Sequence, residues 1–259
     1  MVKIPSPKCR SKKVYLLGNK KRRCSQCQYE FTPHRLPLRL TRVQWKEILD
    51  WFLLEQSSQN IALRTSIERK RVMRALTIVR RVLTKDVQKS SPVLWKWTKP
   101  IWGQWKNKRK SIRDLGTKLG RGTKKQPVFG ILCRNCQVWA EVVEDVEAVT
   151  LQLLISKKVS TGSVVCSDTW KAYSGIAAKG YVHLLVNHGE RQYSDGKGNH
   201  INGLEGFWGF LKRKLVSKGG IRKEKLPLYL GEYVWRYNQR SDSDKDKIKR
   251  IIKLLEQEV

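Results

Sequence analysis

The chain has 259 residues, 54 Lys and Arg against 22 Asp and Glu, and a formal net charge of +32. Such an excess repels itself and calls for a polyanion, which excludes an ordinary enzyme of small metabolites. The 40% hydrophobic content and 10 Trp exclude global disorder, no apolar run approaches the roughly 18–20 residues of a membrane span, and six Cys at this length make no disulfide scaffold.

The expected address is the cytoplasm, beside the nucleoid, with no membrane partner. Residues 1–127 hold 33 basic and 7 acidic side chains, a net of +26, while residues 128–259 hold 21 and 15, a net of +6. The first half therefore reads as an electrostatic grip on nucleic acid through phosphate neutralisation and counterion release. The second half is balanced enough to house a site built from carboxylates. A solvated, tail-rich surface is the bland alternative.

Residues 1–36 form a basic, Cys-containing segment. Cys24-Ser-Gln-Cys27 is a C-x-x-C knuckle, Cys9 lies upstream, and Val14–Leu17 followed by Gly18-Asn19 reads as strand and turn. Four thiolates on two knuckles would make a tetrahedral zinc ribbon, but only three are present. Ser6 stands where the second knuckle would put a cysteine. The expected Zn2+ site of Cys9, Cys24 and Cys27 is thus incomplete, unless a distant group such as His34 closes it. Inert thiols are the alternative.

Residues 37–90 have helical periodicity. Ile48, Leu49, Trp51, Phe52 and Leu53 make an apolar stripe within 45–56, Ser57–Asn60 breaks it, and Ser66 is read as an N-cap. A last helix carries Val72, Ala75, Leu76, Val79 and Leu83 inward, with Arg69, Lys70, Arg71, Arg74, Arg80 and Arg81 outward. Short helices ending in a basic one fit a helix-turn-helix module whose final helix enters the major groove. A merely solvated basic face is the alternative. Residues 88–126 are basic with Gly and Trp, and from Gln104 they read as a loop. Arg121 and Lys124 there could track a phosphate backbone.

From Pro127 the pattern changes to strands at Val128–Cys133 and Gln137–Val143, a helix at Ala148–Ser156, and a third strand at Ser163–Cys166. Cys133 and Cys136 are read as turn residues rather than metal ligands. Asp168 follows the third strand, where α/β layers place catalytic groups; a helix N-cap is the alternative. In 199–213, Leu204, Trp208, Leu211 and Leu215 form one helical face, while Asn202, Glu205 and Lys212 form another. Glu205 could hold a metal while Lys212, two turns on, meets a phosphate. An exposed, salt-bridge-competent face is the alternative. Asp244–Glu256 reads as a C-terminal packed helix within the last segment, 241–259.

These strings resemble a family. Cys24-Ser-Gln-Cys27-Gln-Tyr-Glu-Phe-Thr, Pro127-Val-Phe-Gly-Ile-Leu, Ser167-Asp168-Thr-Trp-Lys-Ala-Tyr, Val186-Asn187-His188, His200-Ile-Asn-Gly-Leu-Glu205-Gly-Phe-Trp, Leu211-Lys212-Arg213 and Glu232-Tyr-Val-Trp-Arg-Tyr-Asn238 look like bacterial and archaeal insertion-sequence transposases. Members join a zinc ribbon and helix-turn-helix to a ribonuclease-H-like DDE domain. The resemblance implies an α/β fold: a ribonuclease-H-like mixed sheet with flanking helices over 91–240, preceded by a small zinc-ribbon-like and helical DNA-binding region.

It implies double-stranded DNA as partner (terminal inverted repeats and target), a homo-oligomer on that DNA, and cleavage with strand transfer using two Mg2+ or Mn2+ ions. Asp168 corresponds to the second metal carboxylate and Glu205 to the third, with Asn202 the alternative. Lys212 corresponds to the basic residue at the terminal phosphodiester.

The chain departs from the family at the first carboxylate. Between Asp86 and Asp114 there is none, and the region reads Pro92-Val-Leu-Trp-Lys-Trp-Thr-Lys-Pro-Ile-Trp-Gly103. Tryptophan has one codon, so the DNA under Leu94–Trp102 can be partly written. Read two bases later, and with free choice at degenerate codons, it encodes Val-Glu-Val-Asp-Gln-Thr-Tyr-Met, close to the family's missing phrase. Compensating frameshifts across Trp97-Thr98 would leave either an impaired transposase or a catalytically dead DNA-binding relic that inhibits intact relatives. A basic RNA-binding protein is the remaining expectation.

Overall fold

A computed structural model describes residues 5–18, 21–31, 36–89, 95–97, 101–103, 126–133, 137–167, 175–185 and 202–258. The chain divides into two compact units, Met1–Ala75 with Ile248–Val259, and Leu76–Lys247. The boundaries fall inside two helices, α3 and α7, defined below.

The first unit opens with a three-stranded antiparallel sheet: β1 (Val14–Leu16), β2 (Arg22–Cys24) and β3 (Glu30–Phe31). Val14 pairs with Cys24 and Arg22 with Phe31. Helix α1 (Arg42–Leu53) begins at a capping box in which Thr41 accepts from the Gln44 amide and the Gln44 side chain accepts from the Thr41 amide. It buries Trp45, Ile48, Leu49 and Phe52, the one-face spacing of a 3.6-residue repeat. Trp45 Nε1 donates to the Pro37 carbonyl at 3.2 Å, so even the indole's polar atom is matched.

Ser57 caps α2 (Ser58–Thr65), accepting from the Asn60 amide. Ser66 then adopts a left-handed conformation, φ 51°, and terminates α2. This corrects the expectation that Ser66 would cap the following helix. Helix α3 (Arg69–Lys89) begins after Glu68, whose carbonyl accepts from the Val72 amide. Within the first unit, Val72 and Ala75 of α3 are buried. Helix α7 (Asp244–Gln257) buries Ile248, Ile251, Ile252 and Leu255, and Glu256 pairs with Arg42 of α1 at 2.9 Å.

In the second unit β6 (Gln126–Cys133) is the centre of a four-stranded antiparallel sheet. β7 (Val138–Val142) pairs along one edge, Val128 with Val142 through Leu132 with Val138. The other edge is shared by two short strands. β4 (Trp95–Trp97) pairs Trp97 with Ile131, and β5 (Ile101–Gly103) pairs Ile101 with Val128. Three residues separate β4 from β5 where two, Phe129 and Gly130, separate their partners. The register therefore advances by one residue between them, as it does across a bulge.

β4 also lies beside β8 (Val164–Ser167), which pairs in parallel with β9 (Val182–Leu185). The parallel pair is joined by a crossover, as parallel strands require. The expected strands at 128–133, 137–143 and 163–166 thus appear with shifts of one or two residues.

Helices cover both faces of this sheet. Helix α4 (Ala148–Lys158) lies on the Trp139 side, with Lys158 Nζ 4.9 Å from the Trp139 ring centre. Phe129, on that same face by alternation, meets Trp139 edge-on at 6.3 Å. Helix α5 (Asn202–Val216) takes the opposite face through Gly130, where an added Cβ would stand 2.7 Å from the Trp208 ring. Among its described side chains, Phe207, Trp208, Leu211 and Leu215 are buried.

Helix α6 (Leu226–Asn238) packs on α5 through Phe207–Tyr237 and Phe210–Tyr233 ring contacts. It also meets the second unit's part of α3 so closely at Gly231 that any side chain there would collide with Thr84.

The polar residues of α6 hold this packing together. Glu232, 2% exposed, accepts from Arg80 Nε at 2.7 Å and from Arg236 Nε at 2.9 Å, while the Arg80 guanidinium lies over the Tyr229 ring at 4.2 Å. Trp235 Nε1 donates to Asp86 at 3.1 Å. Asn238 accepts from the Val138 amide at 2.7 Å and donates to its carbonyl at 2.8 Å.

Candidate metal centre and catalytic face

The N-terminal unit gathers three cysteines from two knuckles. Cys9, Cys24 and Cys27 bring their sulfurs within 4.8 Å of one another, with Cys9 and Cys24 at 3.5 Å. Thiolates around one tetrahedral zinc stand about 3.8 Å apart, given zinc–sulfur bonds of roughly 2.3 Å, so this spacing fits a single ion. The Cys27 backbone amide, donating to the Cys24 sulfur, pulls its thiol down to about 6 against the opposing effect of burial. A thiolate near neutral pH is what metal ligation needs. Arg23 pairs with Glu30 across β2 and β3, on the face opposite Cys24 by strand alternation. His34, the alternative fourth ligand, lies outside the described residues.

The two knuckles share one backbone geometry. The Cys24 amide donates to the Tyr29 carbonyl at 3.1 Å, and the Gln28 amide to the Cys24 carbonyl at 3.0 Å. Eighteen residues earlier the Ser6 amide donates to Ser11 at 2.9 Å and the Arg10 amide to Ser6 at 2.8 Å. Gln28 and Arg10 both have left-handed backbones, φ 56° and 58°. Ser6 is therefore the structural counterpart of Cys24, as Cys9 is of Cys27.

On the basic helix, Arg69, Lys70 and Arg74 are exposed at the start of α3. Arg71 is half-buried, and its guanidinium donates to the Leu38 carbonyl at 2.6 Å, tying α3 to the turn before α1. Met73, 51% exposed, stands among the three open cations, a position that sequence patterning does not single out. Arg121 and Lys124 lie outside the described residues.

Of the proposed metal carboxylates, Asp168 lies outside the described residues, immediately after β8 ends at Ser167. Asn202 and Glu205 fall in the first turn of α5, three residues or more before Trp208 rests on Gly130 of β6. Lys212 is exposed on α5, about 10 Å along the axis from position 205 at 1.5 Å per residue. The strand beside β8 is β4, in the region that carries no acidic residue between Asp86 and Asp114.

Residues 100–238 match the ISXO2-like transposase domain. The chain belongs to that family. It is 36% identical over 123 residues to an uncharacterized transposase-like protein of Haemophilus influenzae, an alignment covering 48% of this chain and 94% of that one.

Among solved structures, the Mos1 strand transfer complex aligns at 13% identity and a TM-score of 0.30, covering 88% of this chain and 80% of that chain. The Mos1 transposase paired-end complex with the left transposon end aligns at 12% and 0.27, covering 88% and 82%. Likenesses that loose carry no argument. The transposase, DDE and insertion-sequence assignment follows from the family match and the Haemophilus relative. Among the described residues, no helix is long and apolar enough to cross a membrane.

Proposed function

We propose that this ISXO2-like transposase binds the terminal inverted repeats of an insertion sequence, and that its cleavage and strand-transfer centre is impaired by loss of one carboxylate. The observation that carries this reading is chemical. Beside β8, which Asp168 follows in sequence, the strand segments β4 and β5 supply Trp, Lys, Ile and Gly but no acid. The family match begins at residue 100, just past Trp97-Thr98, where the shifted reading frame would encode an aspartate. The strand succession β7, β6, β4 with β5, β8, β9 supports a ribonuclease-H-like sheet, with the basic first unit as its DNA-binding region.

Asp168 and Glu205 are the residues that would hold divalent ions, with Asn202 as the alternative to Glu205. Two Mg2+ or Mn2+ ions would activate an attacking oxygen and stabilise the leaving one. Two carboxylates are a donor set short of the three such a pair shares, so the residues present fit one ion better than two. α5 presents Lys212 to the terminal phosphate, a point charge suited to an oxyanion. Arg69, Lys70 and Arg74 neutralise backbone phosphates and reach into the major groove, while Arg71 fixes the helix that carries them. Two DNA ends must be brought together, which calls for a homo-oligomer on DNA.

The test is a nicking assay on supercoiled DNA carrying the element's ends, with Mg2+ or Mn2+. The chain as it stands should bind and not cut, whereas Trp97→Asp or Thr98→Asp should restore metal-dependent nicking. Robust nicking by the unmodified chain, abolished in Asp168→Ala, would overturn the impaired reading and leave the transposase one intact.

A further inference from the structure

We propose that Ser6 Oγ is the fourth donor of the N-terminal metal site, which thus holds Zn2+ through three thiolates and one hydroxyl and releases it readily. This rests on the first unit alone and is separate from the transfer chemistry. Ser6 is 1% exposed, an unusual place for a short polar side chain without a task. Its Oγ stands 3.4 Å from Cys27 Sγ and accepts from the Lys8 amide at 3.3 Å, so the oxygen faces the thiolate cluster rather than solvent. The repeated knuckle geometry puts it where the second knuckle puts Cys24, on a backbone held by the same two hydrogen bonds and the same left-handed closing residue. The same two hydrogen bonds and a left-handed closing residue frame both corners, and the donor atom differs between them.

The chemistry of that atom sets the behaviour. A thiolate is an anionic, soft donor, and a neutral hydroxyl is a hard and weakly held one. With three thiolates the cluster carries one negative charge fewer than a four-cysteine site, and its fourth bond opens most easily. A competing ligand can therefore enter at that corner without first displacing a thiolate. The ion is retained by Cys9, Cys24 and Cys27 and exchanged through position 6.

The experiment uses the full-length chain and its Ser6→Cys and Ser6→Ala variants, with far-UV circular dichroism to establish that each is folded. Loaded with Co2+, all three should bind one ion. The thiolate-to-cobalt absorption should be equal in the parent and Ser6→Ala, and about a third stronger in Ser6→Cys, as three sulfurs become four. Loaded with Zn2+ and challenged with a chromogenic chelator, Ser6→Cys should release metal at least ~10-fold more slowly than the parent, and Ser6→Ala ~10-fold faster. Unchanged cobalt absorption in a folded Ser6→Cys would mean position 6 is not at the metal. Equal release rates for the parent and Ser6→Ala would assign the fourth corner to water. Either result overturns the proposal, as does a folded parent that takes up no ion.

Discussion

The arginines in the two parts of α3 put one side chain to opposite uses. Arg69 and Arg74 in the first unit stand in the open, available to a polyanion. Arg80 in the second is sandwiched between the Glu232 carboxylate and the Tyr229 ring, and is not open to a polyanion in the same way. A net charge of +32 therefore overstates the surface available to phosphate. Which cations matter for binding and which for architecture depends on what buries them.

The sharpest way to break that division is at Glu232. Glu232→Leu leaves two largely buried guanidinium groups without their shared partner, which should cost about 3–5 kcal/mol and lower the unfolding midpoint by many degrees. Thermal denaturation measures it, and a change below about 1 kcal/mol would mean the two arginines find solvent instead.

Asn238→Ala strips the Val138 amide and carbonyl of both partners. A loss of about 1–3 kcal/mol should appear in urea unfolding, with the slope unchanged. Arg69→Ala with Arg74→Ala should do the reverse, leaving stability alone while weakening DNA binding. The log–log salt dependence should flatten by about 2, close to 0.9 for each phosphate that is no longer neutralised. If Arg80→Ala flattens it as much, the distinction between exposed and architectural arginines fails. Smallest is Thr41→Ala, which removes the cap of α1 and should cost about 1 kcal/mol without touching DNA affinity.

What could be read from the amino-acid string followed from local pattern. The strands at 128–133 and 137–143 are β-rich runs around a turn, and Ile248, Ile251, Ile252 and Leu255 are spaced for one helical face, so both appear where expected. Ser66 is ambiguous in sequence because serine serves equally as an N-cap and, with φ 51°, as a left-handed terminator; only the backbone decides. β4 and β5 give no strand signal, since each is three residues long and is made by pairing with β6.

Glu232 is illegible for another reason. Its partner Arg80 lies 152 positions away, and nothing periodic links them. At the candidate metal centre, the missing thiolate is visible in Ser6-Pro-Lys-Cys9, but the matching hydrogen bonds that make Ser6 the twin of Cys24 are not. The meeting of Asp168 with Glu205 is still an expectation of the family resemblance.

The amide of Asn238 has one more consequence. Val138 directs its N–H and C=O away from β6, on the side where a further strand would attach. By imitating a peptide group there, one side chain occupies the end of the sheet's outer margin where a strand from another molecule could begin to pair, a guard against edge-to-edge aggregation.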